Sequence, residues 1–178
     1  MSVLRNLLRR LAPDEYVASV ADIDLERLAA RGVRGLLIDV DNTLAPWHST
    51  EMDERVVAWL DKAKEHFRSC IVSNSTKLGR MRELRQRLGL ETLAPAGKPW
   101  PWGFRKGMAI IGTAPEATAM IGDQLFTDVT GGNWVGCYTI LVGRVSPKEF
   151  ISTRLMRPVE RVAIRLLQRQ GLWPEETA

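Results

Sequence analysis

Leu36-Leu37-Ile38-Asp39-Val40-Asp41-Asn42-Thr43-Leu44 is the stretch on which the reading of this chain turns. It opens as a continuous apolar run, the pattern of a strand buried on both faces of a parallel sheet. It then breaks into two carboxylates, an amide and a hydroxyl. Side chains alternate across a strand, so extended backbone here sends Asp39 and Asp41 to the same side. Two carboxylates that close repel each other and lose hydration, which requires a cation, a proton or strong donors nearby. At the carboxyl end of a central parallel strand they would also sit where open α/β sheets bind ligands. The segment therefore reads as the centre of an active site.

Downstream, Ser49 or Thr50 is placed to cap a helix over Glu51 to His66, with Met52, Val56, Leu60, Ala63 and Phe67 on its inward face. Cys70 to Val72 is a short buried strand that ends in Ser73-Asn74-Ser75. A helix over Lys77 to Leu88, stopped by Gly89, leads to a short strand at Leu90 to Leu93. The aromatic loop Ala94 to Trp102 carries Lys98 and is followed by a helix over Gly103 to Ile111. Thr118 to Ile121 is the next strand and runs into Gly122-Asp123, with Asp128 close behind. A short helix then precedes a strand at Cys137 to Val142. Upstream, a helix over Asp24 to Arg31, closed by Gly32, feeds the acidic strand. Strands alternating with helices predict an α/β fold with a central parallel sheet of about five strands and right-handed crossovers.

At 178 residues the chain is read as one domain with a single core. No stretch approaches the ~20 apolar residues that span a bilayer. The N-terminus shows no signal-peptide pattern. Cys70 and Cys137 have no ligand-type spacing and are read as reduced, which gives a cytoplasmic expectation. The net charge of +4 is modest, but its placement is informative. Residues 1–12 form a basic amphipathic helix, with Leu4, Leu7, Leu8 and Leu11 interleaved with Arg5, Arg9 and Arg10. Near the C-terminus, Ser146-Pro147 opens a helical stretch and Pro158 starts or kinks a second one. In that second helix, residues 157–170, Val159, Val162, Ala163, Leu166 and Leu167 form an apolar stripe beside Arg157, Arg161, Arg165 and Arg169. Such a row suits lipid headgroups or phosphates as well as solvent. Trp173 to Ala178 reads as a loose tail.

Polar clusters thus fall at the ends of successive strands: Asp39, Asp41 and Thr43; Ser73 and Asn74; Lys98; Asp123 and Asp128. Carboxylates from Asp39 and Asp123 suit a hard cation, and Mg²⁺ fits an all-oxygen shell. No His/Cys cluster offers a zinc site. Thr43, Ser73, Asn74 and Lys98 supply donors for a dianionic group, so the set points to phosphoryl transfer from a phosphomonoester. One aspartate as nucleophile divides a very slow hydrolysis into two steps through an acyl phosphate. The second can protonate the leaving oxygen and then activate water.

At these residues the chain resembles the haloacid dehalogenase superfamily, matching its motifs at Asp39-Val40-Asp41-Asn42-Thr43, Ser73, Lys98 and Gly122-Asp123 with Asp128. The resemblance implies a three-layer Rossmann-like fold with Asp39 as nucleophile and Asp41 as general acid/base. It also implies Mg²⁺ held by Asp39, Asp123 and the backbone carbonyl of Asp41, with Asp128 supporting the metal. More closely, the chain is similar to the YqeG-type subgroup, related to phosphatidylglycerophosphate phosphatases. Pro46-Trp47, Ser73-Asn74-Ser75, Gly97-Lys98-Pro99, Gly122 to Leu125 with Thr127-Asp128, and Pro13 to Val17 leading into Ile23-Asp24-Leu25 carry that similarity. Ala45 departs from it, since a bulkier apolar residue is common there.

The gaps from Thr43 to Ser73 and from Ser75 to Lys98 leave no room for a cap domain. An uncapped site can admit a headgroup projecting from a bilayer, and Trp47, Trp100 and Trp102 are placed near its mouth. The expectation is a Mg²⁺-dependent phosphatase acting on phosphatidylglycerophosphate, peripheral on the inner membrane face, with an anionic phospholipid as partner. The competing readings are a phosphatase for a soluble phosphometabolite or phosphoprotein, a non-enzymatic phospho-accepting domain, and an RNA-binding protein. No aromatic stacking motif or recognition fold supports a specific nucleic-acid partner.

Overall fold

Leu36, Leu37 and Ile38 are fully buried in the middle of six parallel strands in the computed structural model, which describes residues 3–147 and 151–174. The order along the chain is α1 (Val3–Arg9), β1 (Glu15–Val17), α2 (Leu25–Ala30), β2 (Gly35–Ile38), α3 (Glu54–His66), β3 (Arg68–Val72) and α4 (Leu78–Leu88). It continues with β4 (Glu91–Leu93), α5 (Pro101–Ile111), β5 (Thr118–Gly122), α6 (Thr130–Val135), β6 (Tyr138–Val142) and α7 (Ile151–Arg169). In space the strands run β1-β6-β5-β2-β3-β4. The chain moves outward from β2 through β3 to β4, then returns to place β5 on the other side of β2. That reversal opens a crevice at the carboxyl ends of β2 and β5.

Alternation within β2 supplies both faces of the core. Leu36 and Ile38 pack with Val56, Leu60 and Ala63 of α3 and with Met81 and Leu84 of α4. Leu37 points the other way, onto Phe104, Met108 and Ile111 of α5. Burying each of these aliphatic side chains is worth about 1.5–3 kcal/mol. Two layers of helices therefore enclose the sheet. A third, smaller cluster joins Leu8 of α1, Leu125, Val129, Leu141 of β6, and Ala163 and Leu167 of α7. Cys70 and Cys137 are buried free thiols.

The structure corrects the expected outline in four places. The sheet has a sixth strand beyond the about five expected, because Glu15-Tyr16-Val17 adds an edge strand parallel to β6. Its polar character hides partnered groups: Glu15 is buried in an ion pair with Arg27 and accepts from Tyr138 Oη at 3.2 Å. The cap of α3 is Asp53, whose Oδ1 accepts from Arg55 N at 2.8 Å, so neither Ser49 nor Thr50 caps it. The opening expected at Ser146-Pro147 runs into residues 148–150, which lie outside the described residues, and from Ile151 α7 continues as a single helix through Pro158. Contacts on either side of the proline hold it, with Arg157 at the crevice and Ala163 and Leu167 in the third cluster. Trp173 is not loose but packs on Tyr16, with ring centroids 5.6 Å apart. Residues 1–2 of the expected N-terminal helix and 175–178 of the expected tail lie outside the described residues.

Candidate active site

The strand ladder continues one residue past β2, with Asp39 N donating to Ile121 O at 2.9 Å. The chain then turns sharply. Asn42 takes φ 65°, in the left-handed region that Asn tolerates better than most residues. Thr43 N and Leu44 N both donate back to Val40 O. The turn fixes Asp39 and Asp41 at the floor of a cleft of about 620 Å³, which Trp47, Ser73, Asn74, Lys98 and Gln124 also line.

Lys98 is the hub of the floor. Its Nζ lies 2.6 Å from Asp39 Oδ1 and 2.7 Å from Asp128 Oδ1, and its side chain is only 3% exposed. Asn74 clamps the Lys98 backbone in both directions, accepting from Lys98 N at 2.8 Å and donating to Lys98 O at 3.0 Å. Asn74, expected to donate to phosphate, lines the cleft, and its amide closes this clamp, which sets where the lysine enters. Thr43, expected in the same role, does not line the cleft. It is buried behind Asp39, with its Oγ1 donating to Asp39 Oδ2 at 3.4 Å. Ser73 lines the cleft, and its Oγ accepts from Ser75 N at 3.1 Å.

Asp128 reaches the floor by folding back over Gly122. A π-helical turn at Leu125–Val129 brings it round, and a Cβ on Gly122 would lie 2.3 Å from Asp128 Oδ2. Only glycine fits under that carboxylate, which is the physical content of the Gly122-Asp123 pair. Asp123 meets a partner that the sequence reading had turned outward. Arg157 of α7 pairs with Asp123 Oδ2, donates to Asp123 O at 3.0 Å, and is paired at 2.6 Å with Glu160, whose other oxygen accepts from Leu125 N at 2.5 Å. Arg157 therefore leaves the expected outward-facing row and joins the site.

Asp41 points away from the other three carboxylates. Its Oδ1 accepts from Arg80 Nη1 at 2.8 Å and from His48 N at 3.1 Å, and the same guanidinium grips Ser49 O. His48 borders the cleft next to Lys77. Trp47 borders it too, but Trp100 and Trp102 do not; Trp100 faces Trp134 at 6.0 Å instead.

Sequence reasoning missed Arg80 and Arg157. For Arg157 a signal existed, because Glu160 is the lone acid on α7 and shares a face with Ala163 and Leu167. An acid on an apolar face needs a buried partner. Arg80 carries no such mark, standing in a basic run whose other arginines are exposed.

The electrostatics show a site short of positive charge. Burial pushes the Asp39 carboxyl up to about 7; the Lys98 ammonium opposes the shift and Asp128 adds to it. Burial, then Asp39, raises Asp123 well above its ordinary value despite Arg157. Burial works against the Lys98 ammonium, yet Asp128 and Asp39 hold its proton more tightly than usual.

Asp39, Asp123 and Asp128 each offer an oxygen within 4.8 Å of the others. Asp123 Oδ1 is buried with no hydrogen-bond partner among the described residues. An all-oxygen, like-charged set with an unpartnered inward oxygen fits a hard dication such as Mg²⁺. The Asp41 carboxylate is not in that set.

A family model described as mitochondrial PGP phosphatase matches residues 1–94, and one described as HAD-hydrolase-like matches residues 95–153. Over 160 residues the chain is 37% identical to the probable phosphatase YqeG of Bacillus subtilis, covering 89% of this chain and 92% of that protein. It is 27% identical over 174 residues to the chloroplastic/mitochondrial phosphatidylglycerophosphate phosphatase 1 of Arabidopsis thaliana. That match takes in 91% of this chain and 49% of the plant protein, so the chain spans about half the length of that relative. A crystal structure of an uncharacterized protein from Listeria monocytogenes serotype 4b shares the fold, with a TM-score of 0.52 at 14% identity over 77% of this chain and 99% of that one.

Proposed function

The chain belongs to the haloacid dehalogenase superfamily of phosphatases, in the branch related to phosphatidylglycerophosphate phosphatases, and from that membership we propose that it is a Mg²⁺-dependent enzyme converting phosphatidylglycerophosphate to phosphatidylglycerol through a phosphoaspartate at Asp39. The observation that carries the chemistry is the buried Lys98 ammonium, held between Asp39 and Asp128 beneath an open cleft.

Asp39 attacks phosphorus and the bond to the ester oxygen breaks. Asp41, held by Arg80, gives its proton to the departing alkoxide. The resulting carboxylate of Asp41 then takes a proton from the water that attacks the acyl phosphate, which returns Asp39 and releases phosphate. Lys98 and Ser73 supply donors to the phosphoryl oxygens as negative charge builds. Asp39, Asp123 and Asp128 would hold Mg²⁺, whose charge would offset repulsion between the carboxylate and the incoming anion.

Two observations support the lipid substrate. Only short helices and a short strand separate Asp39, Ser73, Lys98 and Asp123 from one another, and among the described residues no cap encloses the cleft. The family model for residues 1–94 also carries that activity in its description. Among the described residues no helix is long and apolar enough to cross a membrane, which suits a peripheral placement at the membrane face.

A panel of phosphomonoesters, free and embedded in vesicles, tests the substrate. Turnover of phosphatidylglycerophosphate above all soluble esters is expected. No turnover of the lipid, with turnover of a soluble phosphometabolite or phosphoprotein, would replace this substrate with that one.

Arg157 has a consequence of its own. It fixes Asp123 from behind while leaving Oδ1 inward, so Arg157→Gln is expected to raise the Mg²⁺ concentration for half-maximal binding by about 10–100-fold, as losses of supporting contacts to ligands do. Calorimetric Mg²⁺ titration checks this; unchanged affinity would leave Arg157 a structural contact only.

A further inference from the structure

α7 is docked along one side only. Glu160, Ala163 and Leu167 are buried, whereas Val159, Val162 and Leu166 are 51%, 54% and 42% exposed. At 3.6 residues per turn these three share a single stripe along the helix. Arg161, Arg165 and Arg169, all exposed, run beside it at four-residue spacing. Between Met156 and Gln170 the only acid is Glu160, and it is buried against Arg157, so the outward surface of this segment carries positive charge alone.

The stripe also reaches the site. Met156 is 47% exposed and lines the cleft one turn before Val159 and Glu160. α1 enters the same apolar cluster as α7 through Leu8, and leaves Leu7 62% exposed among the exposed Arg5, Arg9 and Arg10. Both terminal helices thus pack on the domain through one face and keep an apolar and basic face outside.

Single exposed apolar residues are ordinary, but a row of them flanked only by guanidinium groups is complementary to one surface in particular. In an anionic bilayer the aliphatic side chains enter the boundary between headgroups and acyl chains, and the arginines meet lipid phosphates. We propose that the outer face of α7, together with α1, rests on an anionic phospholipid bilayer and holds the mouth of the cleft against headgroups in that surface. This rests on the phospholipid-phosphatase reading and adds the orientation in which such a substrate reaches Asp39 without leaving the membrane.

Co-sedimentation of the full chain with vesicles tests it, using phosphatidylglycerol mixed into phosphatidylcholine and phosphatidylcholine alone. The chain is expected to bind the anionic vesicles and not the zwitterionic ones. Val162→Ser/Leu166→Ser and Arg161→Gln/Arg165→Gln, at positions that do not line the cleft, are each expected to weaken that binding by about tenfold or more while turnover of a soluble phosphomonoester stays unchanged. No binding to anionic vesicles, or double variants that bind like the parent, would overturn the proposal. So would a dimer in light scattering that Val162→Ser/Leu166→Ser dissolves, since the stripe would then be covered by a second copy. A short-chain, monomeric phosphatidylglycerophosphate separates the two readings. If it is hydrolysed while vesicle binding fails, the docking face is wrong and the substrate stands. If binding depends on the face but neither form of the lipid is hydrolysed, the docking stands and the substrate falls.

Discussion

Asp39→Asn is expected to lower turnover by about 10⁴-fold or more while leaving the fold intact. Asparagine has nearly the same shape, can still accept from Lys98 Nζ through its amide oxygen, and keeps the backbone N–H that donates to Ile121 O. What it lacks is a carboxylate able to attack phosphorus.

The stability of the same variant runs the opposite way, and the sign follows from protonation. Burial raises the folded carboxyl to about 7 from 3.8. Between those values the folded chain binds more protons than the unfolded one, so the contribution of Asp39 is present at low pH and is lost as pH rises to 7. Metal-free Asp39→Asn has no such loss. It is expected to melt above the metal-free parent at pH 8, with the gap closing toward pH 4 and also on adding Mg²⁺. Thermal melts across that range check this; a gap of constant size would mean that the Asp39 carboxylate is not strained in the fold.

Lys98→Met is expected to damage both stability and turnover. The parent ammonium touches Asp39 and Asp128 at 2.6 and 2.7 Å, and both carboxylates are almost fully buried. Removing one partner from a buried ion pair costs about 3–5 kcal/mol, because a charge is left without compensation. The loss should therefore be largest at neutral pH and shrink in acid, where the carboxyls protonate. Turnover should fall by at least about 10²–10³-fold, the usual cost of deleting a donor aimed at transition-state charge. Lys98→Arg is not expected to restore either property, since a planar fork does not fit where Asn74 has fixed the entry of a compact ammonium. Denaturation at pH 5 and pH 8 with single-turnover kinetics separates the two effects. Equal destabilisation at both pH values would show that lost packing, not lost charge, is the cause.

These expectations depend on residues whose legibility in the sequence differed for physical reasons. The run from Leu36 to Ile38 has no polar interruption and stops at carboxylates, as a strand buried on both faces does at its end, so the centre of the sheet was plain. Gly122 was legible as part of a motif, but its reason lies in space, where the Asp128 carboxylate occupies the volume of a side chain. β1 was missed because a buried Glu15 looks like a surface residue until Arg27 and Tyr138 are seen around it. Arg157 was misplaced because a row of arginines at four-residue spacing suggests one common face, whereas one member is drawn in by Asp123 and Glu160. Asn74 and Thr43 were gathered with the phosphate donors as polar groups at strand ends. Their hydrogen bonds show them holding Lys98 and Asp39 in position. Local pattern reports which groups stand at strand ends; which of them face the cleft is decided by contacts distant in sequence.

Asp39 is the group that would carry the phosphoryl moiety between the two steps, and acid quenching during turnover traps it there. The quenched protein, digested and mapped by mass spectrometry, should carry a phosphoryl group on Asp39, and Asp39→Asn should carry none. A phosphoryl group on any other residue, or near-normal turnover by Asp39→Asn, would contradict that role.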